Sequence, residues 1–118
     1  GKIPKSKKEV EPDKRTQEFL AQLEELVLEH LDDFNYKTED LAFDLQLSKR
    51  HFIRQLKLAT GLTPIQYIRA VRLDKAREYI ENETYLTVKE VAYSVGYKDI
   101  AYFSRQFKKA YGKLPSEY

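Results

Sequence analysis

Arg50, Arg54 and Lys57 stand four and three residues apart, and Arg105 with Lys108 repeats the second interval 51 residues further on. Positions three or four apart share one face of a helix, so each set makes a cationic ridge. An ammonium binds a phosphate as a point charge, and a guanidinium can also grip two acceptors at once. The chemistry on offer is anion recognition. Uncharged side chains stand among the cations, Ile53 in the first ridge and Ile100, Ala101 and Ser104 in the second, while Lys49, His51, Lys98 and Lys109 flank them. Charged helix faces are most often plain solvated surface, and one such ridge would leave that reading at even odds. Two in register point to an anionic partner.

The rest of the composition excludes other chemistry. Without a Cys there is no thiol nucleophile, no disulfide frame and no cysteine zinc site. His30 and His51 are far apart, and neither a glycine-rich phosphate loop nor a His/carboxylate metal spacing is present. No enzyme, metal or other cofactor is therefore expected. The acidic pairs Asp32-Asp33 and Glu39-Asp40 read as helix-dipole and solubility features. No run is apolar enough to span a bilayer. With no Met at its start, the 118-residue chain reads as a piece of a longer one.

The charge is unevenly spread. Lys37 stands against nine acids over 16–47, and eight Lys or Arg stand against Asp74 alone over 48–77, within a net charge of +2. An anionic partner fits the second segment. The remaining alternative is a helical protein-interaction module that turns this basic face to an acidic partner.

Helices must position these ridges. Phe19, Leu20, Leu23, Leu26, Val27 and Leu31 give one apolar stripe from Thr16 onward. Thr38–Leu45 reads as a short helix, Ser48 caps a second one to Thr60, and Gly61 ends it. Pro64 opens a long helix to Asn82, with Ile65, Ile68, Val71, Ala76, Tyr79 and Ile80 inward. Thr87 with Glu90 has capping-box spacing for a short helix to Ser94. The last helix runs from Ile100 to Tyr111 before Gly112. No stretch alternates as a strand would. The expected class is all-α: a linker over 1–15, a first helix-turn-helix subdomain over 16–62, a linking helix over 63–83, and a second subdomain over 84–118.

An internal repeat carries this reading. Leu41-Ala42 answers Val91-Ala92, and Leu45-Gln46-Leu47 answers Val95-Gly96-Tyr97. Phe52-Ile53-Arg54-Gln55-Leu56-Lys57 answers Phe103-Ser104-Arg105-Gln106-Phe107-Lys108. Each copy has the anatomy of a helix-turn-helix. Ala42 and Ala92 are small where two short helices cross, Leu47 and Tyr97 plug the turns, and the Phe52/Leu56 and Phe103/Phe107 pairs face inward. Two such units on one rigid helix can enter major-groove faces about 34 Å apart. A monomer would then cover an asymmetric site of roughly 20 base pairs, about two turns of the duplex.

VKEVAYSVGYKDIAYFSRQFKKAYGKLPSEY (residues 88–118) and LSKRHFIRQLKLATGLTPIQYIRAVRLDKA (residues 47–76) resemble the AraC/XylS family of bacterial transcription regulators. The resemblance covers residues 17–118. It implies seven helices in two homeodomain-like helix-turn-helix subdomains bridged by a central helix, and sequence-specific binding of double-stranded DNA. By position it implies base contacts at Arg50, Ile53 and Arg54 in one recognition helix and at Ile100, Ala101, Ser104 and Arg105 in the other. Lys49, Lys57, Lys98, Lys108 and Lys109 are then phosphate contacts, and His51 either reaches a phosphate or half-packs on the core. Ile100 and Ala101 replace polar residues common in the family, so the second unit reads bases weakly or by apolar contact. Arg72 is expected to bond back to the fold. The acidic first helix and the tail are similar to modules that end hybrid two-component sensors of gut Bacteroidetes. A membrane-anchored parent with this domain in the cytoplasm follows from that likeness. The acidic helix could face RNA polymerase, a partner domain or only solvent.

Overall fold

The computed structural model describes residues 13–118. These form α1 (Lys14–Glu29), α2 (Thr38–Asp44), α3 (Lys49–Thr60), α4 (Pro64–Glu81), α5 (Val88–Ser94), α6 (Ile100–Tyr111) and a closing 3-10 turn, Pro115–Glu117. Among the described residues there is no strand. The fold is the expected all-helical one.

Local chemistry explains each start. The side chain of Asp13 accepts from the Thr16 amide at 2.7 Å, so α1 begins two residues before the expected Thr16. That hydrogen bond holds the Asp13 carboxyl below its usual range. The expected linker therefore loses residues 13–15 to a cap and a helix, and its remainder, 1–12, lies outside the described residues. Thr87 and Glu90 make the reciprocal cap of α5, each backbone amide bonded to the other's side chain at 3.1 Å. Thr63 and Gln66 do the same for α4, at 3.0 and 3.2 Å, around Pro64. Gly61 and Gly112 end α3 and α6 in the left-handed region, with φ of 78° and 82°.

Contacts divide the chain into two units. The first joins residues 13–30 to Asn35–Val71 around a core of Phe19, Leu23, Val27, Tyr36, Leu41, Phe52, Leu56, Tyr67, Ile68 and Val71. The second joins Leu31–Phe34 to Arg72–Tyr118 around Leu31, Leu73, Ala76, Val91, Val95, Tyr97, Phe103 and Phe107. The division runs through α4, which gives Tyr67, Ile68 and Val71 to one core and Leu73 and Ala76 to the other. Each fully buried Leu or Phe contributes about 1.5–3 kcal/mol. One inward expectation fails: Ile65 is 65% exposed, because Pro64, Tyr67 and Ile68 set the buried phase of the first turn of α4.

The helix-turn-helix backbone recurs hydrogen bond for hydrogen bond. In the first turn the Gln46 amide donates to Phe43 O at 2.9 Å and the Leu47 amide to Ala42 O at 3.0 Å. In the second, Gly96 donates to Tyr93 O at 3.1 Å and Tyr97 to Ala92 O at 2.8 Å. Gln46 and Gly96 occupy equivalent left-handed positions, with φ of 60° and 87°. Ala42 and Ala92 are buried at the crossings, as their size requires.

Candidate nucleic-acid interface

The first ridge is built on α3. The Ser48 hydroxyl accepts from the His51 amide at 3.1 Å and starts the helix, and Phe52 and Leu56, both fully buried, fix its rotation. That phase turns Lys49, Arg50, His51, Ile53, Arg54, Lys57 and Leu58 outward. Lys49, Arg50, Arg54 and Lys57 line one open groove, with Ile53 among them and Leu58, Leu62 and Thr63 completing it. Arg50 and Arg54 have no hydrogen-bond or ion-pair partner among the described residues, so their guanidinium donors face solvent. Two neighbours are engaged. Lys49 Nζ lies 2.6 Å from Glu39 Oε1, a half-exposed pair that holds the Glu39 carboxyl below its usual range. Such an exposed pair is weak, because water screens both charges. Lys57 Nζ donates to Gly61 O at 3.0 Å and closes the end of its own helix.

The second ridge is built on α6. Asp99 caps it, accepting from the Tyr102 amide at 3.0 Å. Phe103 and Phe107 are fully buried in a chain of rings, Tyr97 to Phe103 at 5.2 Å, Phe103 to Phe107 at 5.9 Å and Phe107 to Tyr111 at 4.9 Å. Ala101, Tyr102, Arg105, Lys108 and Lys109 face solvent, as does Lys98 in the preceding turn. Ser104 is half-buried, and Ile100 is half-buried against the core, leaving less of it for a partner than an outward residue offers. His51 is exposed, which leaves no half-packed reading for it.

Tyr102 was missing from the expected set. It is exposed, and the Arg105 guanidinium stands 6.0 Å from its ring centroid. The signal was present in the repeat, since Tyr102 falls where His51 falls in the first copy. Leu58, 77% exposed beyond Arg54, escaped for the opposite reason: an isolated outward Leu carries no pattern.

Among the described residues no group of three or more His, Asp or Glu is placed to hold a metal, and no helix is long and apolar enough to cross a membrane.

The family described as Helix-turn-helix domain matches residues 41–118. The chain belongs to the AraC/XylS helix-turn-helix family. The MmsAB operon regulatory protein of Pseudomonas aeruginosa is 40% identical over 80 residues, 68% of this chain and 26% of that protein. The C-terminal domain of AraT, a response regulator from Geobacillus stearothermophilus, has a TM-score of 0.74 at 30% identity over 83% of this chain and 80% of its own. The DNA-binding domain of AdpA, solved in complex with a target DNA, has a TM-score of 0.75 at 29% identity over 84% of this chain and 87% of its own. This AraC/XylS domain thus has regulator domains, not enzymes, as its structural neighbours. It spans between 6% and 43% of the lengths of the first curated relatives it matches.

Proposed function

We propose that this domain binds double-stranded DNA sequence-specifically as the DNA-reading module of a transcription regulator. The observation that carries the reading is the pair of solvent-facing cationic ridges, each on the second helix of a helix-turn-helix whose first helix and turn repeat in detail. In this reading the first subdomain (16–62), the linking helix (63–83) and the second subdomain (84–118) bring α3 and α6 into adjacent major grooves. Arg50, Ile53 and Arg54, with Ile100, Ala101, Ser104 and Arg105, meet base edges. The arginines suit guanine O6 and N7, and the apolar side chains suit thymine methyl groups. Lys49, His51, Lys57, Lys98, Lys108 and Lys109 meet phosphates and set register without reading sequence. One monomer covers an asymmetric site of about 20 base pairs, two half-sites a helical turn apart. The family's role and the likeness to a response-regulator domain support transcription control in the cytoplasm downstream of a signal, with RNA polymerase as a second partner.

Mobility shift against random duplex DNA at low salt tests the reading, followed by a salt titration. Affinity should fall steeply as log salt rises, with a slope set by about six to ten neutralised phosphates. A flat dependence contradicts that count, and no binding even at low salt favours an acidic protein partner.

A further inference from the structure

Arg72 is 6% exposed in the middle of α4, and its guanidinium donates three hydrogen bonds to backbone carbonyls of the described residues. Nη1 donates to Leu31 O and Val95 O, both at 2.8 Å, and Nη2 donates to Asp33 O at 3.0 Å. Val95 is the C-cap of α5, and Leu31 follows His30, the C-cap of α1. Carbonyls at helix C-termini lack helical partners and carry partial negative charge, so a cation satisfies both needs there. The next residue after Val95 is Gly96, in the left-handed region at φ of 87°. A Cβ on Gly96 would overlap Nη1 of Arg72 and the carbonyl oxygen of Leu31. The glycine and the guanidinium therefore share one space. In the first helix-turn-helix the equivalent turn position holds Gln46.

We infer that Arg72 is the positioning residue of the second DNA-reading helix. It fills the space Gly96 leaves open and ties the α5–α6 turn, through Val95, to the Leu31–Phe34 segment, and the aim of α6 depends on that tie. The inference rests on the DNA-binding reading for its consequence but not for its geometry, so its test has one readout with DNA and one without.

The full chain is prepared with Arg72→Met, which keeps the stem and removes the donors, with Arg72→Lys, which restores a cation, and with Gly96→Ala. Amide hydrogen exchange is read at Gly96 and Tyr97, and at Gln46 and Leu47 as the internal control. Binding is read on the duplex that the wild-type chain enriches most from a random pool, and on two copies of it with one half scrambled in each. In Arg72→Met, exchange at Gly96 and Tyr97 should quicken by about tenfold or more, the scale for losing bonds to buried groups, with Gln46 and Leu47 unchanged. Its binding loss should be confined to duplexes that retain the α6 half. Arg72→Lys should recover part of the protection, and Gly96→Ala should open the same turn with Arg72 present. Wild-type protection in Arg72→Met, or loosening shared equally by both turns, overturns the inference. Should Arg72→Met fail to fold, Gly96→Ala decides: a variant with wild-type exchange and half-site preference overturns it. The expected exchange pattern in a chain that enriches no duplex supports the tie and overturns the DNA reading.

Discussion

Leu47 closes the turn of the first helix-turn-helix against a core whose neighbours on α2 and α3 are Leu41, Phe52 and Leu56. Tyr97 closes the second against rings, Phe103 and then Phe107, with Tyr111 and Tyr118 beyond. The ladder of turn hydrogen bonds is the same in both, as are the buried Ala at the crossing and the buried Phe that fixes the rotation of the outer helix. What stands on that frame differs. The first outer helix opens with Lys49 and Arg50, and the second with Ile100 and Ala101. The inner stripe of α1, Phe19, Leu23 and Val27, is apolar, while along α4 Arg72 is buried between Ile68 and Ala76. The backbone motif makes few demands: a small residue, a plug, a buried ring and a left-handed turn position. The outer face is free of those demands, so two copies can keep one geometry while presenting different chemistry.

That contrast can be broken or sharpened by substitution at equivalent positions. The largest effect is expected in the core. Phe103→Ala should destabilise by about 3–5 kcal/mol in urea unfolding, through lost burial and a cavity. Phe52→Ala should fall below it, because Phe103 also has ring partners at 5.2 and 5.9 Å, each such pair adding about 0.5–1.5 kcal/mol. The reverse order would show that the aromatic core is not the stiffer of the two. Next come the ridges. Arg54→Ala and Arg105→Ala should each cost about 1–3 kcal/mol on the preferred duplex and relax one base position, in different halves of it. A uniform loss over all sequences would make either arginine a phosphate contact. The smallest effect is at the first turn. Gln46→Gly should stabilise by about 0.5–1 kcal/mol, since a left-handed φ strains any residue with a Cβ and Gly gives back part of the gain as chain entropy. No gain in thermal unfolding would mean that the Gln46 side chain contributes contacts of its own.

Much of this was legible in the residue pattern because it is local or periodic. The repeat at 50 and 51 residues located both turns, both outer helices and both buried Phe residues, and Ser48, Thr87, Gly61 and Gly112 marked helix ends to within a residue. The gaps have physical causes. Asp13 adjoins a charged, Pro-broken stretch that reads as tail, so its cap was invisible without the helix it begins. Thr63-Pro64-Ile65-Gln66 has capping-box spacing, but Pro64 alone accounts for a helix start, and the apolar side chain of Ile65 suggests an inward phase that the first turn does not have. The positive φ of Gln46 follows from the turn and not from the residue. The partners of Arg72 lie 23 and 41 residues away in sequence, beyond any local pattern. In the interface, charge and spacing exposed the cations, whereas Tyr102, three residues before Arg105 on the same helix, is uncharged and is marked only as the counterpart of His51 in the repeat.

Selection of bound duplexes from a random pool by the unaltered chain tests the central claim most directly. Two dissimilar blocks of enriched bases, centred one helical turn apart with no palindrome between them, are the expected result. A single block, a symmetric site or a pool left unenriched after repeated rounds would contradict the idea that both outer helices read one DNA molecule.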